Sequence, residues 1–169
     1  YGVYLVPNKG GRKDEEITHC QSFFYECDDI SLDEQWKRIE RLDLNPSAVS
    51  QTRNSLHVYY CTVEDSVEGW RKYQQRLIQL MDSDPSIHNE SRLMRLAGFY
   101  HQQKGLDPLP IQIAYHSDAI YKRKQFDDLL PDWDQTRWGE ERTKESPEQI
   151  KQRLEQARLR REAQLTEIG

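Results

Sequence analysis

Hydrophobic and polar positions along the 169 residues follow two different periods. Short apolar and aromatic runs with two-residue alternation predict β-strands, whereas apolar side chains three or four residues apart predict amphipathic helices. The resulting prediction is strands over residues 1–6, 17–28, 55–63 and 109–115, and helices over 32–42 and 65–82.

Both predicted helices carry start signals. Ser31 precedes Glu34 by three residues, which is the spacing of a capping box, and Asp65 precedes Glu68 in the same way. Strands and helices alternate along this part of the chain, so we expect an α/β or α+β sheet with helices layered on one side.

Apolar residues thin out toward the end of the chain. We predict a folded part over 1–118 and an irregular, charged and helical extension over 119–169, with a last helix starting near Ser146 and Pro147. The first residue is Tyr and already belongs to a predicted strand. We therefore expect the natural N-terminus to lie upstream.

Amino-acid composition indicates the cellular environment of the protein. The net charge is -5, the charged fraction is 31% and the mean hydropathy is -0.98. Cys20, Cys27 and Cys61 lack CxxC spacing, which argues against a zinc site or a disulfide framework. No signal peptide and no membrane-length apolar run is visible, so we expect a cytoplasmic protein without a membrane partner.

The stretch CQSFFYECDD ends the second predicted strand with two acids. Alternation on a strand puts Glu26 and Asp28 on one face, where their carboxylates repel each other unless a cation lies between them. Divalent ions such as Mg²⁺ or Mn²⁺ prefer carboxylate oxygens. The alternative is that the strand simply ends here in two solvated acids.

Further candidates follow in order along the chain. Ser55 and His57 share a face of the next strand, and Asp84 comes after the second helix. Arg92 and Arg95 follow, three residues apart, with fork-shaped donors suited to phosphate or, alternatively, to a surface salt bridge with Glu90.

The motifs FYECD, NSLHVYY and MDSDPSI, trailed by NESRLMRLAGF, together resemble the archaeo-eukaryotic primase superfamily. The resemblance is to its primase-polymerase branch of plasmids, phages and bacterial mobile elements, and it covers roughly residues 1–116. It implies an α+β fold: an RRM-like antiparallel sheet with helices on one face, and part of an N-terminal α/β layer.

The resemblance also implies a function: a template-dependent nucleotidyltransferase that joins nucleotides at a 3′-hydroxyl. Glu26, Asp28 and Asp84 would hold two Mg²⁺ or Mn²⁺ ions, with Asp82 as the alternative third acid. Ser55, His57, Arg92 and Arg95 would bind the nucleoside triphosphate. Some relatives approach the S-x-H strand through glycines, whereas this chain has Arg53 and Asn54.

Two other functions stay open. A plasmid replication-initiator nickase needs a histidine pair on one strand, and His57 has no second histidine two residues away. A non-catalytic RRM-like module would read nucleic acid with exposed aromatics, for which Tyr59 is placed on the His57 face.

An acidic chain can bind a DNA template and primer only through a local basic surface. The candidate residues are Arg12, Lys13, Lys104, Lys122, Arg123 and Lys124, and their alternative is plain solvated surface. A helicase or another domain of the parent protein is a further expected partner.

Overall fold

The structure is a computed structural model that describes residues 2–134. The chain divides into two compact units, Tyr1–Trp133 and Asp134–Gly169. The predicted boundary between residues 118 and 119 falls inside the first unit, and the predicted last helix lies outside the described residues. The described elements are β1 (Tyr4–Leu5), β2 (Lys9–Gly10), β3 (Ile17–His19), β4 (Ser22–Glu26), α1 (Leu32–Ile39), β5 (Ala48–Gln51), β6 (Leu56–Thr62), α2 (Trp70–Met81), β7 (Met94–Arg95), β8 (Tyr100–His101), β9 (Leu109–Pro110), β10 (Gln112–His116) and β11 (Ile120–Tyr121).

The main sheet is antiparallel in its four longer strands, in the order β10-β5-β6-β4. β11 adds a short parallel pairing to the end of β6. Three two-stranded pairings complete the strands: β1 with β7, β2 with β3, and β8 with β9. Antiparallel sheet and separate helices make this an α+β fold, as predicted from the sequence.

The observed strands differ from the predicted ones in at least two places. The segment 17–28 is split into β3 and β4, because Ile17–His19 turns away to pair with Lys9–Gly10. β5 was not predicted at all, although it lies between β6 and β10. Its sequence AVSQ is short and follows a proline and a serine, so it carries little of the apolar alternation that marks a strand.

The start of the second helix was predicted wrongly. α2 begins at Trp70, and its N-cap is Gly69 in the left-handed region (φ 72°), with no side-chain cap. Asp65 instead accepts a hydrogen bond at its carbonyl from the Cys20 amide, 2.7 Å away. The first helix does begin as predicted, since the Ser31 hydroxyl accepts from the Glu34 amide at 3.3 Å.

The outer edge of β4 is closed by α2 and the loop behind it. The side chain of Gln74 is fully buried and accepts from the Phe24 amide (3.1 Å) while donating to the Phe24 carbonyl (2.6 Å). The Trp70 indole donates to the Ser22 carbonyl at 2.9 Å. Backbone groups on a buried strand edge must find partners, so these bonds fix α2 along β4.

An aromatic cluster forms the core on one face of the sheet. Phe23 and Tyr60 lie opposite each other on β4 and β6, and Phe126 packs edge-on against both, with ring centroids 5.1 and 6.2 Å apart. The opposite face carries Glu26 and His57. Within residues 2–134, no helix is long and apolar enough to span a membrane.

Candidate active site

The site begins where β4 ends beside β6. Glu26 and His57 are direct partners in the antiparallel ladder, and His57 in turn lies opposite Ser50 of β5. The His57 Nε2 is 2.8 Å from Glu26 Oε2. Burial by itself raises the pKa of the Glu26 carboxyl, but the hydrogen bond and charge of His57 and the charge of Arg92 outweigh it, so the pKa lies below its ordinary value.

Asp84 is brought to the same place by the backbone. Its amide donates to the Glu26 carbonyl, with nitrogen and oxygen 3.4 Å apart. The bond continues the row of contacts that closes the β4 edge. The Asp84 carboxylate is oriented by Ser86, whose amide donates to one oxygen (2.8 Å) and whose hydroxyl donates to the other (2.7 Å).

Arg92 lies between the two carboxylates. Its Nη2 is 3.6 Å from Glu26 Oε1 and 3.9 Å from Asp84 Oδ2. The alternative partner, Glu90, is taken by the Arg71 guanidinium. The positive charge of Arg92 therefore offsets the repulsion between the two carboxylates.

The other two acids lie differently. Asp28 is exposed, two residues beyond the last strand residue. Asp82 ends α2 in the left-handed region, and its carboxylate is 3.7 Å from the buried guanidinium of Arg38. Asp82 is thus held at the helix end, whereas Asp84 is held against Glu26.

In the described part of the chain, no three His, Cys, Asp or Glu side chains gather into a metal-binding group. The carboxylates still suit a hard cation, because Glu26 and Asp84 already share one positive group and their side chains are 21% and 40% exposed. Glu26 and Asp84 therefore offer oxygen donors from two chain segments at one end of the sheet, and Asp28 follows Glu26 by two residues.

The side chains of Ser55 and His57 are both buried. Ser55 closes the tight turn before β6, where its amide donates to the Thr52 hydroxyl at 3.1 Å. Ser55 is 5% exposed and His57 2% exposed. Within residues 2–134, the Ser55 Oγ and the His57 Nδ1 have no hydrogen-bond partner.

His101, to which the sequence assigned no role, joins Arg53, Arg95 and His57 in a basic group. Burial, together with the charges of Arg95, Arg53 and His57, lowers the pKa of His101 on β8. The Nδ1 of His101 and the Nε of Arg53 are also buried without a partner within the described residues. The sequence gives no periodic signal for this group, because its members come from a turn and separate strands.

Arg95 does not join Arg92 at the acids. Its Nη1 is 3.0 Å from the Tyr4 hydroxyl, and its guanidinium lies over the Tyr4 ring at 5.2 Å. It also lines a cavity of about 460 Å³ on the same sheet face, with Ser50, Tyr59 and Ile113. The two arginines therefore serve neighbouring parts of this face and do not share one partner.

The first loop presents Arg12 and Lys13 to solvent. Its backbone amides are not free for an external anion, because those of Arg12 and Lys13 donate to Glu16 Oε2 at 2.8 and 3.3 Å. The Asp14 carboxylate ties the loop to the segment before Arg92, accepting from the Ser91 amide and hydroxyl.

The basic run 122–124 does not present three cations to a ligand, which corrects the prediction for its middle residue. Arg123 is buried, and its guanidinium donates to the carbonyls of Cys20, Ser66 and Glu68. Lys122 and Lys124 remain exposed. The 3₁₀ turn over Arg123–Phe126 places Arg123 and Phe126, three residues apart, in the core, so adjacent positive residues separate.

Comparison with known proteins identifies a structural relative of this chain. No family model matches the sequence, and no curated protein sequence matches it. Among solved structures, the chain is similar to the AEP domain of the primase-polymerase (PrimPol) of cyanophage S-2L. The identity is 35% and the TM-score 0.70, over 77% of this chain and 70% of that one.

A second solved structure, the primase RepB′, matches with 18% identity and a TM-score of 0.48 over 89% of this chain and 47% of that one. The cyanophage match, at its identity and coverage, establishes the relationship. The chain belongs to the primase-polymerase branch of the archaeo-eukaryotic primase superfamily, as the three motifs predicted.

Proposed function

We propose that the chain is the catalytic part of a template-dependent nucleotidyltransferase, a DNA primase or polymerase that joins nucleotides at a 3′-hydroxyl. The observation that carries the proposal is the pairing of Glu26 with Asp84, joined by a backbone hydrogen bond and facing one cation. The relationship to a primase-polymerase domain supports it. We also propose that the main sheet is RRM-like.

Glu26, Asp28 and Asp84 would hold two Mg²⁺ or Mn²⁺ ions. When bound, such ions neutralise charge on a triphosphate and activate a hydroxyl for in-line displacement. The chain's own residues orient the carboxylates: His57 fixes Glu26 from inside the sheet, and Ser86 fixes Asp84. Arg92 offsets their repulsion and presents guanidinium donors beside them.

The triphosphate would bind on the basic side of this site. Arg92 and Arg95 are half-buried, so their guanidinium groups keep donors for phosphate oxygens. Ser55 Oγ and His57 Nδ1 lack partners in residues 2–134. Once neighbouring side chains move, the Ser55 hydroxyl can donate to an anion, and His57 Nδ1 can do so in the imidazolium form, because Nε2 donates to Glu26. Arg53 stands near them and adds positive charge.

The direct test is primer extension with purified chain, Mg²⁺ or Mn²⁺, and each nucleotide type, run with and without a primer. We expect template-directed incorporation by the wild type and none by Glu26→Gln. Incorporation by Glu26→Gln at the wild-type rate would reject the proposed site. No incorporation by the wild type under any of these conditions would reject the enzyme and favour the non-catalytic binding module.

The His57→Ala substitution tests whether His57 contacts the triphosphate. We expect it to raise the apparent KM for nucleotide far more than the Kd for DNA, since its free nitrogen is assigned to the triphosphate. Equal losses in both titrations would instead identify His57 as a residue that only supports the fold.

A further inference from the structure

A hairpin beside the proposed site exposes aromatic side chains. β8 and β9 pair as Tyr100 with Pro110 and His101 with Leu109. The pairing continues to the base, where the Gly98 amide donates to the Ile111 carbonyl (2.9 Å) and the Ile111 amide to the Phe99 carbonyl (2.8 Å). Ile111 is buried and leads directly into β10, so the hairpin is anchored to the main sheet.

Its tip and sides do not belong to the core. Phe99 is 44% exposed, Tyr100 56% and Leu106 49%, although aromatic residues of this size usually have a buried face. The hairpin has only two residues in each strand and no further strand partner among the described residues. These side chains therefore do little to stabilise the fold.

Within the hairpin the charges of Lys104 and Asp107 balance, and the positive charge nearby comes from the arginines at its base. Lys104 lies exposed in its loop, and Asp107 is the only carboxylate between residues 98 and 110. At the base, His101 experiences the charges of Arg53, Arg95 and His57. Exposed rings next to a basic groove are the combination by which proteins hold single-stranded nucleic acid.

The hairpin is also linked to the site. The Arg53 guanidinium donates to the Asp107 carbonyl, which joins the hairpin loop to the turn immediately before Ser55 and His57. A strand of nucleic acid lying on the hairpin would therefore be led toward the site.

We propose that the hairpin over residues 98–111 is the binding surface for single-stranded template, with Phe99 and Tyr100 as base-stacking platforms and Lys104 as a phosphate contact. The inference rests on the proposed function, because it assigns the template of that same site. It also replaces the run 122–124, whose central arginine is buried, as the main basic contact.

The experiment titrates a fluorescein-labelled single-stranded 20-mer of thymidines with the full 169-residue chain by fluorescence anisotropy, without nucleotide or metal. Phe99→Ala and Tyr100→Ala should each weaken binding by about fivefold or more, the loss expected for one stacked base. Tyr100→Phe keeps a ring and should bind as the wild type does. Val63→Ala, an exposed apolar residue elsewhere, should stay within about twofold.

The lysines provide a second, independent comparison. Lys104→Ala should reduce the slope of log K against log salt by about 0.7, the value for one phosphate contact on a single strand. Lys124→Ala, equally exposed, should leave the slope unchanged. Thermal unfolding of every variant should match the wild type, because the substituted side chains are exposed.

Binding by Phe99→Ala and Tyr100→Ala within twofold of the wild type overturns the inference and assigns the exposed rings to a different partner, as does a wild type that binds no single strand. Primer extension separates this from the proposed function. If the wild type extends a primer and the variants bind the single strand normally, the proposed enzyme activity is supported and the hairpin proposal is rejected. If the variants lose binding and the wild type does not extend a primer, the hairpin proposal is supported and the proposed enzyme activity is rejected.

Discussion

Two groups of arginines in this chain use the same side chain in opposite ways. One group is buried and donates to backbone carbonyls, as Arg38 does to Met81, Arg76 to Leu130 and Arg123 to Cys20. The other group lies on the site face of the sheet and is only half-buried: Arg53, Arg92 and Arg95. The first group joins separate segments of the chain through backbone carbonyls, whereas the second is more exposed and keeps donors for a ligand.

The difference explains why charge in the sequence was a poor guide to the DNA surface. Lys122, Arg123 and Lys124 look like a basic patch, yet the strongest donor among them is used inside the protein. Isolated residues such as Arg53 and His101 look unremarkable, yet they are neighbours beside the proposed site. The following substitutions test this division, from the largest expected effect to the smallest.

Removing a proposed metal ligand should have the largest effect. Glu26→Gln, Asp28→Asn and Asp84→Asn should each lower kcat for single-nucleotide incorporation by about 1,000-fold or more, because bound metal ions supply several kcal/mol of transition-state stabilisation. Asp82→Asn is the matched control, since its carboxylate faces Arg38, and it should retain nearly full activity. A large loss of activity in Asp82→Asn with none in Asp84→Asn would identify Asp82, and not Asp84, as the third metal ligand.

Arg123→Ala should have the largest effect on stability. It leaves three carbonyls without their donor, that of Cys20 buried and those of Ser66 and Glu68 partly buried, so we expect the free energy of unfolding to fall by about 3 kcal/mol or more. Urea denaturation measures this, with Lys124→Ala as the exposed neighbour that should change it by less than about 0.5 kcal/mol. Equal, small changes in the two variants would show that Arg123 belongs with the surface arginines.

Gln74→Leu tests the closed edge of β4. The substitution keeps the volume but leaves the Phe24 amide and carbonyl unpaired, which should cost about 2–3 kcal/mol of unfolding free energy. Gln75→Leu, one residue along the helix and less buried, should cost far less. Activity should fall only in Gln74→Leu, because the same edge holds Asp84 against Glu26; unchanged activity would separate the site from the edge.

Arg92→Ala and Arg95→Ala should mainly weaken the binding of the nucleotide substrate. Each should raise the apparent KM for nucleotide by an amount equivalent to about 2 kcal/mol, the scale of a charge-assisted hydrogen bond, while changing stability by less than Arg123→Ala does. Steady-state extension assays provide the KM. A stability loss as large as that of Arg123→Ala, with no change in KM, would place these arginines in the structural group.

The smallest effect concerns pH. The pKa of Glu26 is lower in the folded chain than its ordinary value of 4.5, so its contribution to stability is present above pH 4.5 and is lost as the pH falls through the folded value. The wild type should therefore lose stability relative to Glu26→Gln in that acidic window, as measured by unfolding at stepwise lower pH. A constant difference between the two proteins would mean that Glu26 has no favourable partner.

Local signals determined much of this protein from the sequence. The aromatic and β-branched runs SFFYE and LHVYYCT identified β4 and β6, and Ser31 with Glu34 identified the start of α1, because strand propensity and helix caps depend on residues a few positions apart. The order of three short motifs also identified the family, which the cyanophage structure confirms. Each strand, cap and single motif lies within one contiguous segment.

Tertiary structure decided which residues meet. Only the pairing of β4 with β6 puts Glu26 opposite His57, and only the docking of α2 along the β4 edge brings Asp84, rather than Asp82, to the Glu26 carbonyl. Burial of Arg123 and the position of the hairpin at 98–111 likewise depend on packing between distant segments. The physical reason is that a backbone or guanidinium donor must pair with whichever acceptor the fold places beside it, and sequence distance carries no record of that choice.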